Sequence, residues 1–323
     1  MQNPSTPSAK VAPATLTFTG RCDGSAGVSL GGTLFATTSD EVDDATGENT
    51  LAVYDAAKGG APVATLALNA TLGLPVKGKK SAREADMEAA ATIGERVYWI
   101  ASHSLSKDGG ERPARYQFFA TETDGTTLKV VGKPHHNLKR DMLAEKRLAT
   151  VLAVAATKPP DTVDGWNIEG MSATPDGKLL IGFRSPVVGG RALLVPLENP
   201  AQVIDNGAKA RFGEPVLLDL GAGRGIRSMA WWAERKCYVI LAGLATGNAP
   251  GTSYQLFLWD GKATPTPINS VAIHGLNAPE TVFVVPGDTG RVMVLSDDGA
   301  IDGCKDKPDT ERRFLGGWVN VPH

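Results

Sequence analysis

The sequence predicts an all-β protein: a five-bladed β-propeller with one helical insertion near residues 138–156. Three observations carry that reading. Short apolar or alternating runs recur along the chain, punctuated by Gly, Asp, Asn and Pro, as strands joined by tight turns are. Five places share one weak signature: an Asp-, Glu- or Ser-bearing turn, an apolar strand, a tight turn and a second apolar strand. Each is followed by enough chain for two more strands, and four-stranded repeats of this size are propeller blades.

The elements follow in order. Residues 1–13, rich in Pro, Ser and Ala, read as a flexible lead-in without the apolar stretch of a signal peptide. Residues 14–323 read as one propeller domain. Ala14–Thr19 is a strand with no blade of its own. The first repeat is Cys22–Glu41, with Thr50–Asp55 and Pro62–Leu68 completing its blade. Val76–Glu84 is charged and reads as a loop. Asp86–Ser104 is the second repeat. Leu138–Ala156 then combines strong helix formers with apolar residues near helical spacing, and Pro159 and Pro160 stop it. The third repeat is Asn167–Pro186, with a hairpin turn at Pro175–Gly177, and Ala192–Leu197 and Pro215–Leu218 follow it. Gly225–Gly243 is the fourth repeat and Ala278–Gly299 the fifth. The last blade lacks a clear fourth strand after Trp318–Val321. Pairing that segment with Ala14–Thr19 closes the ring and leaves no free edge. A six-bladed ring is the alternative and needs a cryptic repeat near residues 105–165.

Charge and composition narrow the function. Lys and Arg total 33 against 35 Asp and Glu, so no basic surplus exists to neutralise nucleic-acid phosphates. The best apolar run, Leu148–Ala156, is about half a membrane span. A small-molecule substrate and a monomer are the expectation. Three Cys are too few for a disulfide scaffold, and no CxxC pair is present. Cys22 and Cys304 fall on loops of the first and last blades, which are neighbours in a closed ring. A disulfide between them is geometrically allowed and points to an oxidising compartment, periplasmic or secreted. Cys237 opens an apolar strand and reads as a buried small hydrophobe.

The first strand of each blade lines the propeller axis. Its opening position holds Ser25, Glu88, Glu169, Ser228 and Glu280, spaced 63, 81, 59 and 52 residues apart. Three carboxylates converging on one axis repel each other unless positive charge sits between them. Ca²⁺ is the expected ion, because it takes six to eight oxygen ligands and the ring offers no His or Cys. The second strands return to the same face. Their ends place Asp40, His103 and Arg184 around the ring, and Arg227 sits beside Ser228. His103 or Asp40 is the candidate general base, and Arg184 and Arg227 are candidate binders of phosphoryl oxygens.

The segments CDGSA, DMEAAATIGERVYWIASHS, NIEGMSATPDGKLLIGFRSP, GRALLVPLENPAQV and LLDLGAGRGIRSM resemble a bacterial family of unknown function expected to form propellers. The Ser, Glu, Glu, Ser, Glu order of the ring is similar to the calcium-activated nucleotidases (apyrases), five-bladed enzymes with an axial Ca²⁺. That resemblance implies a Ca²⁺-dependent hydrolase acting on phosphoesters, with phosphotriesters or nucleotides as substrates. Carboxylic-ester or lactone hydrolysis, and a non-catalytic ligand-binding propeller with structural Ca²⁺, are the alternatives.

Overall fold

Twenty strands pair into five antiparallel four-stranded sheets in the computed structural model, which describes residues 15–221, 223–246, 254–269 and 272–322. The lead-in expected over residues 1–13 lies outside the described residues. Blade one is β2 (Gly27–Gly31), β3 (Leu34–Thr37), β4 (Thr50–Asp55) and β5 (Ala64–Ala67). Blade two is β6 (Met87–Ile93), β7 (Arg96–Ala101), β8 (Phe118–Thr123) and β9 (Leu128–His135). Blade three is β10 (Asn167–Ala173), β11 (Leu179–Val188), β12 (Arg191–Leu197) and β13 (Val216–Leu218). Blade four is β14 (Arg224–Trp232), β15 (Cys237–Leu244), β16 (Gln255–Trp259) and β17 (Thr266–Ile268). Blade five is β18 (Pro279–Phe283), β19 (Arg291–Ser296) and β20 (Arg313–Asn320), with β1 (Thr15–Thr19) added at its edge. The count is five, and no sixth blade forms between residues 105 and 165.

The ring closes as the sequence predicts, with Thr15 opposite Gly317 and Thr19 opposite Arg313. A disulfide adds a second seam. Cys22 and Cys304 are bonded, with Cα atoms 5.9 Å apart, and join the loops of blades one and five. Cys237 is buried and free.

The core is divided the way a ring of sheets requires. Five apolar clusters fill the five gaps between neighbouring blades. Strand β7 shows why the sequence runs are so apolar. Side chains alternate between a strand's faces, and both faces here meet another blade. Val97 and Trp99 pack toward blade one, and Tyr98 and Ile100 toward blade three. Blades three and four approach closely at Gly170 and Gly182. A Cβ on Gly170 would stand 2.5 Å from Ile226 Cγ2.

The insertion departs from expectation. Two short helices, Leu138–Ala144 and Lys146–Leu152, replace the single helix predicted over Leu138–Ala156. The chain turns at Glu145, which is extended at φ −83° and ψ 113°. Leu138, Met142, Leu148 and Leu152 point into the gap between blades two and three, so the break lets both turns cover one patch. The charged segment expected as a loop contains one helical turn, Lys80–Arg83. No described helix is long and apolar enough to cross a membrane.

Candidate functional site

Every inner strand slips register against its neighbour. Blade one does so beside its hairpin, between Ser29 and Gly31, and blade three has an added slip between Asn167 and Ile168. The slips that blades two to five each carry near the strand start fall between Met87 and Ala89, Ile168 and Gly170, Ile226 and Ser228, and Pro279 and Thr281. A bulge leaves one extra residue unpaired and re-aims its side chain. The extra residues are Glu88, Glu169, Arg227 and Glu280. Blade four therefore sends Arg227 to the axial cluster, not Ser228. Ser228 lies one residue deeper, where its Oγ accepts a hydrogen bond from Val282 N at 3.1 Å. Local geometry explains the tight fit. A Cβ on Gly225 would stand 1.8 Å from the Arg184 carbonyl oxygen, so blade three crosses blade four here against bare backbone.

Arg227 binds the cluster together. Its side chain is 2 % exposed. Nη1 lies 3.1 Å from Glu169 Oε2 and Nη2 lies 2.6 Å from Glu280 Oε1. Arg184 Nη1 donates to Glu169 Oε1 at 3.0 Å and its Nε donates to Leu244 O. Asn167 Nδ2 also donates to Glu169 Oε1, at 2.7 Å. Ser25 Oγ donates to Glu280 Oε2 at 3.1 Å. Ser25, Glu169 and Glu280 thus meet in one network with Arg184 and Arg227. Burial works against the Arg227 charge, yet Glu169 and then Glu280 push its pKa up.

Around this network opens a bowl of about 310 Å³. Its described lining carries nine carboxyls and four cationic side chains. Glu88 and Asp40 both face it, and Asp40 Oδ1 is buried with no hydrogen-bond partner. Burial, then Asp86 and Glu169, lift the Glu88 carboxyl well above its ordinary range. Burial, then Asp23 and Glu280, do the same to Asp40. Glu280 is raised to about 8 by burial and by Asp297, with Arg227 opposing. Asp23 is raised to about 6 by burial and by Asp297. On the far wall Arg115 pairs with Glu84 at 2.7 Å and Asp86 at 3.1 Å. Lys305, on the blade-five loop, pairs with Glu41 at the rim.

His103 is not at that rim. It is fully buried, in a left-handed conformation with φ 54°, and is absent from the cavity wall. Its Nδ1 lies 2.8 Å from Ala101 O and its ring stacks on Tyr116 at 5.9 Å. Burial drops its pKa to about 4.

A calcium ion on the axis fits this donor set poorly. The positive charge that Glu169 and Glu280 require is already supplied by Arg227 and Arg184. Both Glu169 oxygens are taken by guanidinium N–H groups. Among the described residues no three His, Cys, Asp or Glu side chains stand where they could hold a metal ion. The two arginines expected to grip phosphoryl oxygens are committed to carboxylates, and the acidic wall repels an anionic substrate. Arg115, Lys305, Asn167, Glu84 and Asp86 escaped the sequence reading. Arg115 lies on a turn outside the repeats, and Lys305 reaches the cavity only because the disulfide carries its loop there. The Arg227 position was readable. An apolar residue precedes the extra residue in blades two to four (Met87, Ile168, Ile226) and Pro279 does so in blade five, and alignment on that residue brings Arg227 into line.

A family model described as a protein of unknown function (DUF3616) matches residues 114–291, just over half of the chain. No curated protein matches. Among solved structures, a Myxococcus xanthus glutaminyl cyclase is similar at 12% identity, with 97% of each chain covered and a TM-score of 0.50. A Streptomyces coelicolor aldose sugar dehydrogenase in its PQQ-bound form shows 13% identity over 95% of this chain and 100% of that one, with a TM-score of 0.44. A Bacillus subtilis arabinanase shows 6% identity over 94% and 96%, with a TM-score of 0.44. Likeness at this identity concerns the fold alone.

Proposed function

The chain belongs to the DUF3616 family, whose description assigns no activity, and we propose from its axial cavity that it is a small-molecule hydrolase working by carboxyl acid–base chemistry. One observation carries the reading. Glu88 and Asp40 face the same open bowl, and neither is neutralised by the arginines that engage Glu169. Burial and the surrounding carboxylates raise both groups above the ordinary carboxyl range, which suits one to act as acid and the other as base. The protonated member donates to a leaving oxygen or nitrogen. The ionised member draws a proton from attacking water. Glu280 and Glu169, held by Arg227, fix the floor against which a substrate is positioned. The acid excess favours an uncharged or cationic substrate.

Calcium-dependent phosphoester hydrolysis is the second reading, favoured by the surplus of carboxyls over cations in the wall. Chelation separates the two. The protein stripped with a chelator and assayed on neutral and amine-bearing esters, lactones and glycosides and on phosphoesters is expected to turn over an uncharged or cationic substrate and not a phosphoester. Glu88→Gln is expected to lower that rate at least 100-fold while leaving the protein folded. Loss of turnover on chelation, restored by Ca²⁺, overturns the metal-free mechanism. The Cys22–Cys304 disulfide supports residence in an oxidising compartment.

A further inference from the structure

Two ammonium groups of the chain line the axial cavity: Lys107, which is 85 % exposed beside Asp161, and the more deeply set Lys305. Lys305 directly follows Cys304, which the disulfide ties to blade one. Its Nζ pairs with Glu41. Burial opposes the charge, yet Asp40, Glu41 and Asp297 push the Lys305 pKa up. The side chain is nonetheless 42 % exposed, on a loop built only of the short turns Cys304–Asp306 and Asp309–Glu311. It is a displaceable occupant.

The same cavity presents acceptors that no donor meets. Asn167 is 6 % exposed and lines the wall. Its Nδ2 is used on Glu169, but its Oδ1 has no partner. Asp40 Oδ1 is likewise buried and unpartnered. Buried acceptors without donors are costly and call for a group that brings N–H or O–H. Surplus negative charge calls for one that is also positive. The side chains present no metal-holding arrangement among the described residues. An organic cation with several N–H donors meets both demands.

We infer that the axial cavity binds a ligand bearing a primary ammonium group, and that Lys305 is the built-in occupant such a ligand displaces. This rests on the reading of the cavity as the functional site and names the charge its substrate carries. An ammonium head offers three donors from one compact charge. A quaternary ammonium has the charge without the donors and is the natural control.

The test is calorimetric titration of the full chain with n-butylammonium chloride, a lysine side chain in isolation. Lys305→Ala is expected to bind it at least 10-fold more tightly than the unsubstituted protein. Adding Glu41→Gln to that variant is expected to cost at least 10-fold, and tetramethylammonium is expected not to compete. Lys305→Met, which keeps the stem, serves if the alanine variant does not fold. Equal affinity with and without Lys305 overturns the proposal. So does equal binding of tetramethylammonium, or displacement of the amine by stoichiometric CaCl₂. Ammonium binding without hydrolysis of any substrate leaves this inference standing and removes the hydrolase reading. Metal-free turnover that n-butylammonium does not inhibit does the reverse.

Discussion

Replacing Arg227 with Met keeps the stem and removes the guanidinium. The loss leaves Glu169 with Arg184 as its ion-pair partner and removes the cation from Glu280. The site is closed to water on the arginine side, since that side chain is 2 % exposed. Deleting one partner of a buried pair costs about 3–5 kcal/mol, because the orphaned charge stays buried. At roughly 2–4 °C of melting temperature per kcal/mol, a fall of about 6–20 °C is expected. The pH dependence gives the mechanism away. Below the carboxyl range the orphaned groups take up protons and the repulsion disappears. The deficit should therefore shrink at pH 5 and widen at pH 8.5. Differential scanning calorimetry at both values reads it directly. A melting temperature within 2 °C of the unsubstituted protein at both, or a larger deficit at pH 5, refutes the idea that Arg227 is the counterion of the cluster.

Four further outcomes follow from the same geometry. Glu280 has a folded pKa of about 8 against an ordinary 4.5, so the native state holds the extra proton between those values. Stability is therefore fully present below about pH 4.5 and declines toward about 8, at up to ~1.4 kcal/mol per pH unit for each such proton; Glu280→Gln should flatten that limb in urea titrations, and an unchanged slope counts against it. His103 works in the opposite direction: its pKa falls from 6.5 to about 4, so stability drops as pH falls through that window, and His103→Gln should remove this loss without touching turnover. Gly225→Ala forces a Cβ to within 1.8 Å of the Arg184 carbonyl, so the blade three to four contact must open; a variant with an unchanged melting temperature contradicts that packing. Exchanging both Cys22 and Cys304 for Ser should cost about 2–5 kcal/mol and still leave a closed ring, because β1 remains paired with β20; far-ultraviolet circular dichroism that collapses at 25 °C would show the disulfide, not the strand, to be the closure.

The blades were legible because a propeller buries both faces of its middle strands. That produces dense apolar runs such as Val97–Ala101 at near-regular spacing, and the punctuation of Gly and Asp does the rest. Closure was legible from two half-patterns, one at each end of the chain. The axial set was legible except for one residue. Glu88, Glu169 and Glu280 announce themselves as carboxyls at strand starts, but alternation alone does not reveal a bulge. Counting through the bulge of blade four lands on Ser228, and the error matters, because it exchanges a neutral hydroxyl for a full positive charge. That charge is what the ring was reasoned to lack. His103 was misplaced for a related cause. Strand β7 ends at Ala101, and the left-handed backbone at His103 turns its ring into the protein instead of toward the bowl. The insertion was recognised as helical, but its break at Glu145 answers to the patch it covers, which lies on blades two and three and not in its own sequence.

Calcium titration by calorimetry, on the chelated protein and on Arg227→Met, goes most directly to whether a guanidinium takes the place of a metal on the axis. The unsubstituted protein should give no saturable heat, and the variant, with Glu169 and Glu280 stripped of Arg227, should gain a site. Tight stoichiometric binding by the unsubstituted protein that Glu169→Gln abolishes would contradict this account.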